Sequence, residues 1–119
     1  MLVNKANNCC ENFIMLQNDL LLLIPGNNKI SIINVKQYIL VREIIVPNSG
    51  IIYGFCKLNQ KILLTGDSSK TITQWRIEKD NLILISKKEN THDGPIYTLL
   101  NIGNGHIASG SRDKSIKIW

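Results

Sequence analysis

Three polar residues in the last third of this 119-residue sequence have the types of a nucleophilic triad: His92, Ser109 and Asp113. In a triad the imidazole takes the serine proton and the carboxylate orients the imidazole. That chemistry needs an exposed serine on a strained turn, as in a G-x-S-x-G elbow, beside an oxyanion site. Ser109 instead stands late in the stretch HIASG, which reads as a buried strand with no elbow around it. A hydrolase using Ser109, His92 and Asp113 is therefore the disfavoured reading. A structural role for the same residues is the favoured one.

Other chemical constellations are thinner. His92 and His106 are 14 residues apart with the cysteines far away, so no metal site is expected, and His106 reads as a rim residue. Gly103–Gly110 and Gly66-Asp67-Ser68-Ser69-Lys70-Thr71 glance toward phosphate loops. Neither has the G-x-x-x-x-G-K-[ST] order, and neither leads into a helix, so no cofactor is expected. Cys9, Cys10 and Cys56 form neither a C-x-x-C pair nor an even framework, which suggests reduced thiols, with Cys56 in the core. The start MLVNKANNCC has no apolar signal region, and the run Leu20–Ile24 is far short of the roughly 20 residues that span a membrane. A cytoplasmic or nuclear protein without a membrane partner is expected.

The net charge is +5, from 14 basic and 9 acidic residues, and it is spread without a basic block. That fits a mixed solvated surface better than a nucleic-acid footprint. An RNA- or DNA-associated module using the surplus lysines is kept as the alternative to a protein-binding role.

The elements that would position His92, Ser109 and Asp113 come from an internal repeat. An offset of 44 aligns Asn48–Trp75 with His92–Trp119 without a gap. Seven positions are identical, among them Gly50/Gly94, Ile52/Ile96, Tyr53/Tyr97, Gly66/Gly110 and Trp75/Trp119. An offset of 40 extends the pattern to Asn8–Val35, with Val35 opposite Trp75 and Phe13 opposite Tyr53. Ile, Leu and Val alternate with polar residues, and turn residues punctuate the runs. The expected strands are Asn12–Leu16, Leu20–Ile24, Lys29–Val35, Tyr38–Val46, Ile51–Cys56, Lys61–Thr65, Lys70–Ile77, Asn81–Lys87, Ile96–Asn101, His106–Gly110 and Ser115–Trp119. Four short antiparallel strands have two apolar faces, and stacking such sheets around an axis buries both.

This pattern resembles the WD40 repeat family, on His92, Ser109-Gly110-Ser111, Asp113 and Ile116-x-Ile118-Trp119, with fainter copies upstream. The resemblance implies an all-β architecture: about three four-stranded antiparallel blades of a β-propeller in one partial domain, residues 1–119. The repeats fall near 8–47, 48–90 and 91–119, the last lacking its outer strand, and the ring is not closed. Three blades are fewer than the four to eight of a closed ring, so the sequence reads as a fragment of a longer chain. The resemblance also implies a structural tetrad of His92, Ser109, Asp113 and Trp119, and a partial one of Asn48, Thr65, Ser69 and Trp75. The implied function is a non-catalytic scaffold or adaptor in a multiprotein complex. Its expected protein-binding face holds Pro95, Tyr97 and Arg112 from the third copy, Ile51, Tyr53 and Ser68 from the second, and Glu11, Phe13 and Asn28 from the first; filling between blades is the alternative role for Tyr53 and Tyr97. The expected partners are other proteins or peptides, with further repeats or a second copy completing the ring.

Overall fold

The structure is a computed structural model and describes residues 12–24, 26–47 and 49–119. Of the residues singled out above, Asn8, Cys9, Cys10, Glu11 and Asn48 lie outside the described residues.

Eleven strands form three antiparallel sheets, with no helix among the described residues. The first sheet holds β1 (Asn12–Met15), β2 (Leu20–Ile24), β3 (Lys29–Asn34) and β4 (Ile39–Ile45), in that order. The second holds β5 (Ile52–Lys57), β6 (Ile62–Asp67), β7 (Ile72–Glu78) and β8 (Asn81–Lys88). The third holds β9 (Ile96–Gly103), β10 (His106–Ser111) and β11 (Ile116–Ile118). Each strand runs within two residues of its expected ends, because turn chemistry fixes the bounds. The tightest case is Gly103-Asn104-Gly105, where φ values of 92°, 56° and 77° turn β9 into β10.

The sheets stack face to face, and each interface is a core. Leu22, Ile24, Ile30 and Ile32 of the first sheet meet Ile52, Phe55, Leu63 and Trp75 of the second. On its other face the second sheet presents Cys56, Leu64 and Ile72 to Ile96, Leu99 and Ile107. Burial there pushes the Cys56 thiol up to about 11, as expected for a small apolar core residue. The two outer faces are open. Phe13 is 69% and Met15 52% exposed on one side; Leu100 at 61% and Ile116 at 77% lie on the other. The described strands therefore form an arc rather than a closed ring.

The register of the first sheet corrects the offset of 40. The Leu16 N–H donates to the Leu20 carbonyl as Leu58 N–H does to Ile62, and Val35 N–H to Asp19 as Ile77 N–H does to Lys61. Every one of these pairs is related by 42. Ile33, paired with Leu21, thus takes the place of Trp75, which pairs with Leu63. Val35 takes the place of Ile77, and Phe13 that of Phe55. A slip of two residues leaves every side chain on its original face, so alternation alone does not detect it.

Two bulges have a consequence for the candidate face. In β5 the ladder passes from Ile52 to Gly54, and in β9 from Ile96 to Thr98. Tyr53 and Tyr97 are the residues skipped, so both are re-aimed out of their sheets.

Candidate functional site

The loop before β9 brings His92 over the end of β10, with its side chain fully buried. His92 Nε2 lies 2.7 Å from Ser109 Oγ, and Trp119 Nε1 donates to the same oxygen at 2.8 Å. His92 Nδ1 lies 3.0 Å from Asp113 Oδ2. One proton assignment satisfies all of these: Nδ1–H donates to the carboxylate, Ser109 donates to Nε2 and accepts from the indole. The loop, the second strand and the third strand of this sheet are thereby tied to one another.

Two further residues belong to this constellation and were missed in the sequence. Ser115 Oγ donates to Asp113 Oδ1 at 2.6 Å and lies 3.0 Å from His92 Nδ1. The main-chain N–H groups of Asp93 and Ser115 also donate to Asp113, at 2.9 and 2.8 Å. The Ser115 hydroxyl, the two main-chain donors and His92 together hold the Asp113 carboxyl well below the usual carboxylate range, against a smaller opposing effect of burial. A carboxyl lowered in the fold stabilises it above the ordinary pKa near 4, and that contribution fades as pH falls below it. Asp113→Asn is accordingly expected to lower the urea midpoint at pH 7, with the gap to the parent protein narrowing at pH 3. Parallel urea titrations at the two pH values check this.

In the second sheet, Trp75 Nε1 donates to Thr65 Oγ1 at 3.0 Å, both groups buried. Ser69 enters only through its main chain, whose N–H donates to Asp67 Oδ1 at 2.8 Å. Asp67 is the missed residue here: it is buried, accepts from Thr71 N–H as well, and takes the Ser49 hydroxyl on Oδ2 at 2.9 Å. The signal for it is an aspartate opening a Ser-Ser-Lys turn, since Asp side chains bond main-chain N–H groups two residues on.

The connectivity of His92, Ser109 and Asp113 is that of a triad, but its accessibility is not. Ser109 is 0% exposed, and its oxygen already meets the indole N–H and the imidazole. No substrate carbon reaches that oxygen without unfolding the tie.

The expected binding residues fall into linked pairs along the edge that carries the His92 loop. Arg112 N–H donates to the Pro95 carbonyl, and Ile51 and Ser68 exchange two hydrogen bonds of 2.8 Å. Tyr53 and Tyr97 meet edge to face, with ring centroids 5.1 Å apart and planes at 79°. Asn28 stands at the same edge, its carbonyl taking the Val46 N–H. Phe13 does not join the tyrosines. It pairs with Leu23 on the open face of the first sheet, in the place of Phe55, because the true offset is 42. His106 is exposed at the start of β10, at the opposite edge. Among the described residues no group of His, Cys, Asp and Glu could hold a metal ion.

Successive antiparallel sheets stacked as blades, with a His–Ser–Trp–Asp tie in one of them, define the fold of WD40-type β-propeller blades. Two solved structures share that fold over the whole of this chain. The WD40 repeats of RRP9 superpose with a TM-score of 0.81 at 16% identity, this chain covering 37% of that one. The U3-55K structure matches with a TM-score of 0.81 at 17% identity, with 38% of that chain covered. The chain thus spans well under half the length of either. No protein-family model and no curated protein matches it. No helix among the described residues is long and apolar enough to cross a membrane.

Proposed function

We propose that the chain is a non-catalytic scaffold or adaptor for protein–protein contacts within a multiprotein complex, acting in the cytoplasm or nucleus. The observation that carries this is the Tyr53–Tyr97 pair. Two bulges on the innermost strands of neighbouring blades aim both rings out at one edge, with Tyr97 46% exposed. Arg112 is exposed on the turn bonded to Pro95, two residues from Tyr97. Aromatic rings and arginine are the side chains that most often carry interface binding energy. The tetrad's part is to hold the loop that presents them, since rigid supports lower the cost of docking. Burial of Ser109 speaks against a hydrolase, and the fold by analogy favours a platform role. The open outer faces are apolar blade faces of the kind that further repeats, or a second copy, cover in a ring.

Site-specific photo-crosslinking tests the docking edge. A crosslinker at Tyr97 is expected to give discrete protein adducts in cells, and Arg112→Ala is expected to weaken them severalfold without altering circular dichroism. A crosslinker at exposed Lys36 is expected to give none of the same adducts. Equal adducts from both positions would move the docking surface elsewhere.

A further inference from the structure

At the edge opposite the His92 loop, a cavity of about 260 Å³ opens between the first and second sheets. Its apolar floor is Leu16 and Ile77, and its walls carry Lys57, Lys61 and Lys79 with the amides of Gln17, Asn18 and Gln60. Three turns converge to build it: the β1–β2 turn, the β5–β6 turn and the β7–β8 turn. No acidic side chain lines it. The carboxylates nearest in sequence are each occupied: Asp19 by Lys36 at 3.6 Å, Glu78 by Arg76 at 2.7 Å and Asp80 by Arg42 at 3.5 Å. Among the described residues, Lys57, Lys61 and Lys79 make no ion pair; Lys57 Nζ donates to the neutral Gln60 Oε1 at 3.1 Å. Three ammonium groups without an ion-pair partner at one cleft favour the entry of an anion.

We propose that this cleft binds a compact, phosphate-bearing small molecule. Lysine ammonium groups bind phosphate as point charges, each with three rotatable donors, and three of them line this cavity. No aromatic ring lines it either, so there is no platform on which a nucleic-acid base could stack. The volume lies just under the ~300 Å³ at which pockets for drug-sized molecules begin, which sets the ligand size at a few phosphate groups. The amides add donors that need no charge compensation. The wall is also held in place: Asn101 Nδ2 of the third sheet donates to the carbonyls of Lys57 and Leu58 at 3.0 and 3.1 Å. The site is separate from the docking edge and does not depend on it.

Isothermal titration of the full chain with inorganic tripolyphosphate tests this. Saturable binding with one site per chain is expected. The triple variant Lys57→Gln, Lys61→Gln, Lys79→Gln is expected to bind about tenfold or more weakly. A charge-matched variant at the opposite edge, Lys70→Gln, Lys88→Gln, Lys114→Gln, is expected to stay within about twofold of the parent. Unchanged circular dichroism in both keeps the comparison interpretable. Equal losses in the two variants, or no saturable binding, would overturn the proposal. So would a single-stranded oligonucleotide that binds more tightly and is not displaced by tripolyphosphate.

Discussion

Replacing Trp75 by alanine is expected to remove ~3–5 kcal/mol of stability, the usual cost of emptying a large buried aromatic site. Trp75 is 2% exposed and fills the interface between the first two sheets beside Leu63, Phe55 and Ile32. Its loss leaves both a cavity and a buried Thr65 hydroxyl without its indole donor. Folded domains are held by only ~5–15 kcal/mol, so a large share of the total is at stake. Two comparisons make the expectation specific. Trp75→Phe should recover more than half of the loss, because packing returns and only the hydrogen bond is missing. Trp119→Ala should cost less than Trp75→Ala, because Trp119 is only partly buried at the edge of the second core. Urea denaturation followed by far-ultraviolet circular dichroism ranks the three. Equal costs for the two tryptophans would mean that the two interfaces contribute alike, whatever their burial.

The strands and the stacking of sheets follow from alternation and turn residues, and those were readable throughout. In the third copy, the tie of His92, Ser109, Asp113 and Trp119 was legible only through the resemblance to the WD40 repeat, and a loop and two paired strands bring the four to one point. Ser115 and Asp67 were not legible as members because serine and aspartate near a turn look the same whether they cap it or bond across it. The first copy was misplaced by two residues for a plainer reason. Its runs Leu20–Ile24 and Ile30–Ile33 are apolar at nearly every position, so nothing marks one register over another two residues away. The Leu21–Ile33 pairing and the closing hydrogen bonds at Leu20 and Asp19 decide it. Phe13 went to the wrong company as a result. The bulges show in the packing: Ile52 and Phe55, three residues apart, enter the same core, as do Ile96 and Leu99, which strict alternation forbids. Read that way, the intervening Tyr53 and Tyr97 are the residues forced outward.

Gly54→Val is expected to be the most damaging single change on the second interface. A Cβ at position 54 would stand 2.9 Å from Thr98 Cα and 3.1 Å from the Leu99 nitrogen. Both are main-chain atoms of β9, so no rotamer change relieves the clash and the innermost strands must part. Gly54→Ala should cost ~1–3 kcal/mol, the range for overpacking a tight site, and the branched valine more. Gly110→Ala is the contrasting case, since its Cβ would meet only the Thr98 methyl, at 2.9 Å, and a side chain can turn away. Cys56 reports on the same interface, because burial there keeps its thiol protonated, with its pKa raised to about 11. With Cys9 and Cys10 changed to serine, thiol labelling of Cys56 should be slow in the parent and in Gly110→Ala and fast in Gly54→Val. The consequence reaches the docking edge, because Gly54 follows Tyr53 directly and Thr98 follows Tyr97. Strands that part at this point separate the two rings, so Gly54→Val should also reduce Tyr97 crosslinking even though no side chain of the proposed face has changed. If labelling stays slow and crosslinking persists, the inner strands tolerate separation, and the pairing of the tyrosines owes nothing to the close approach of β5 and β9.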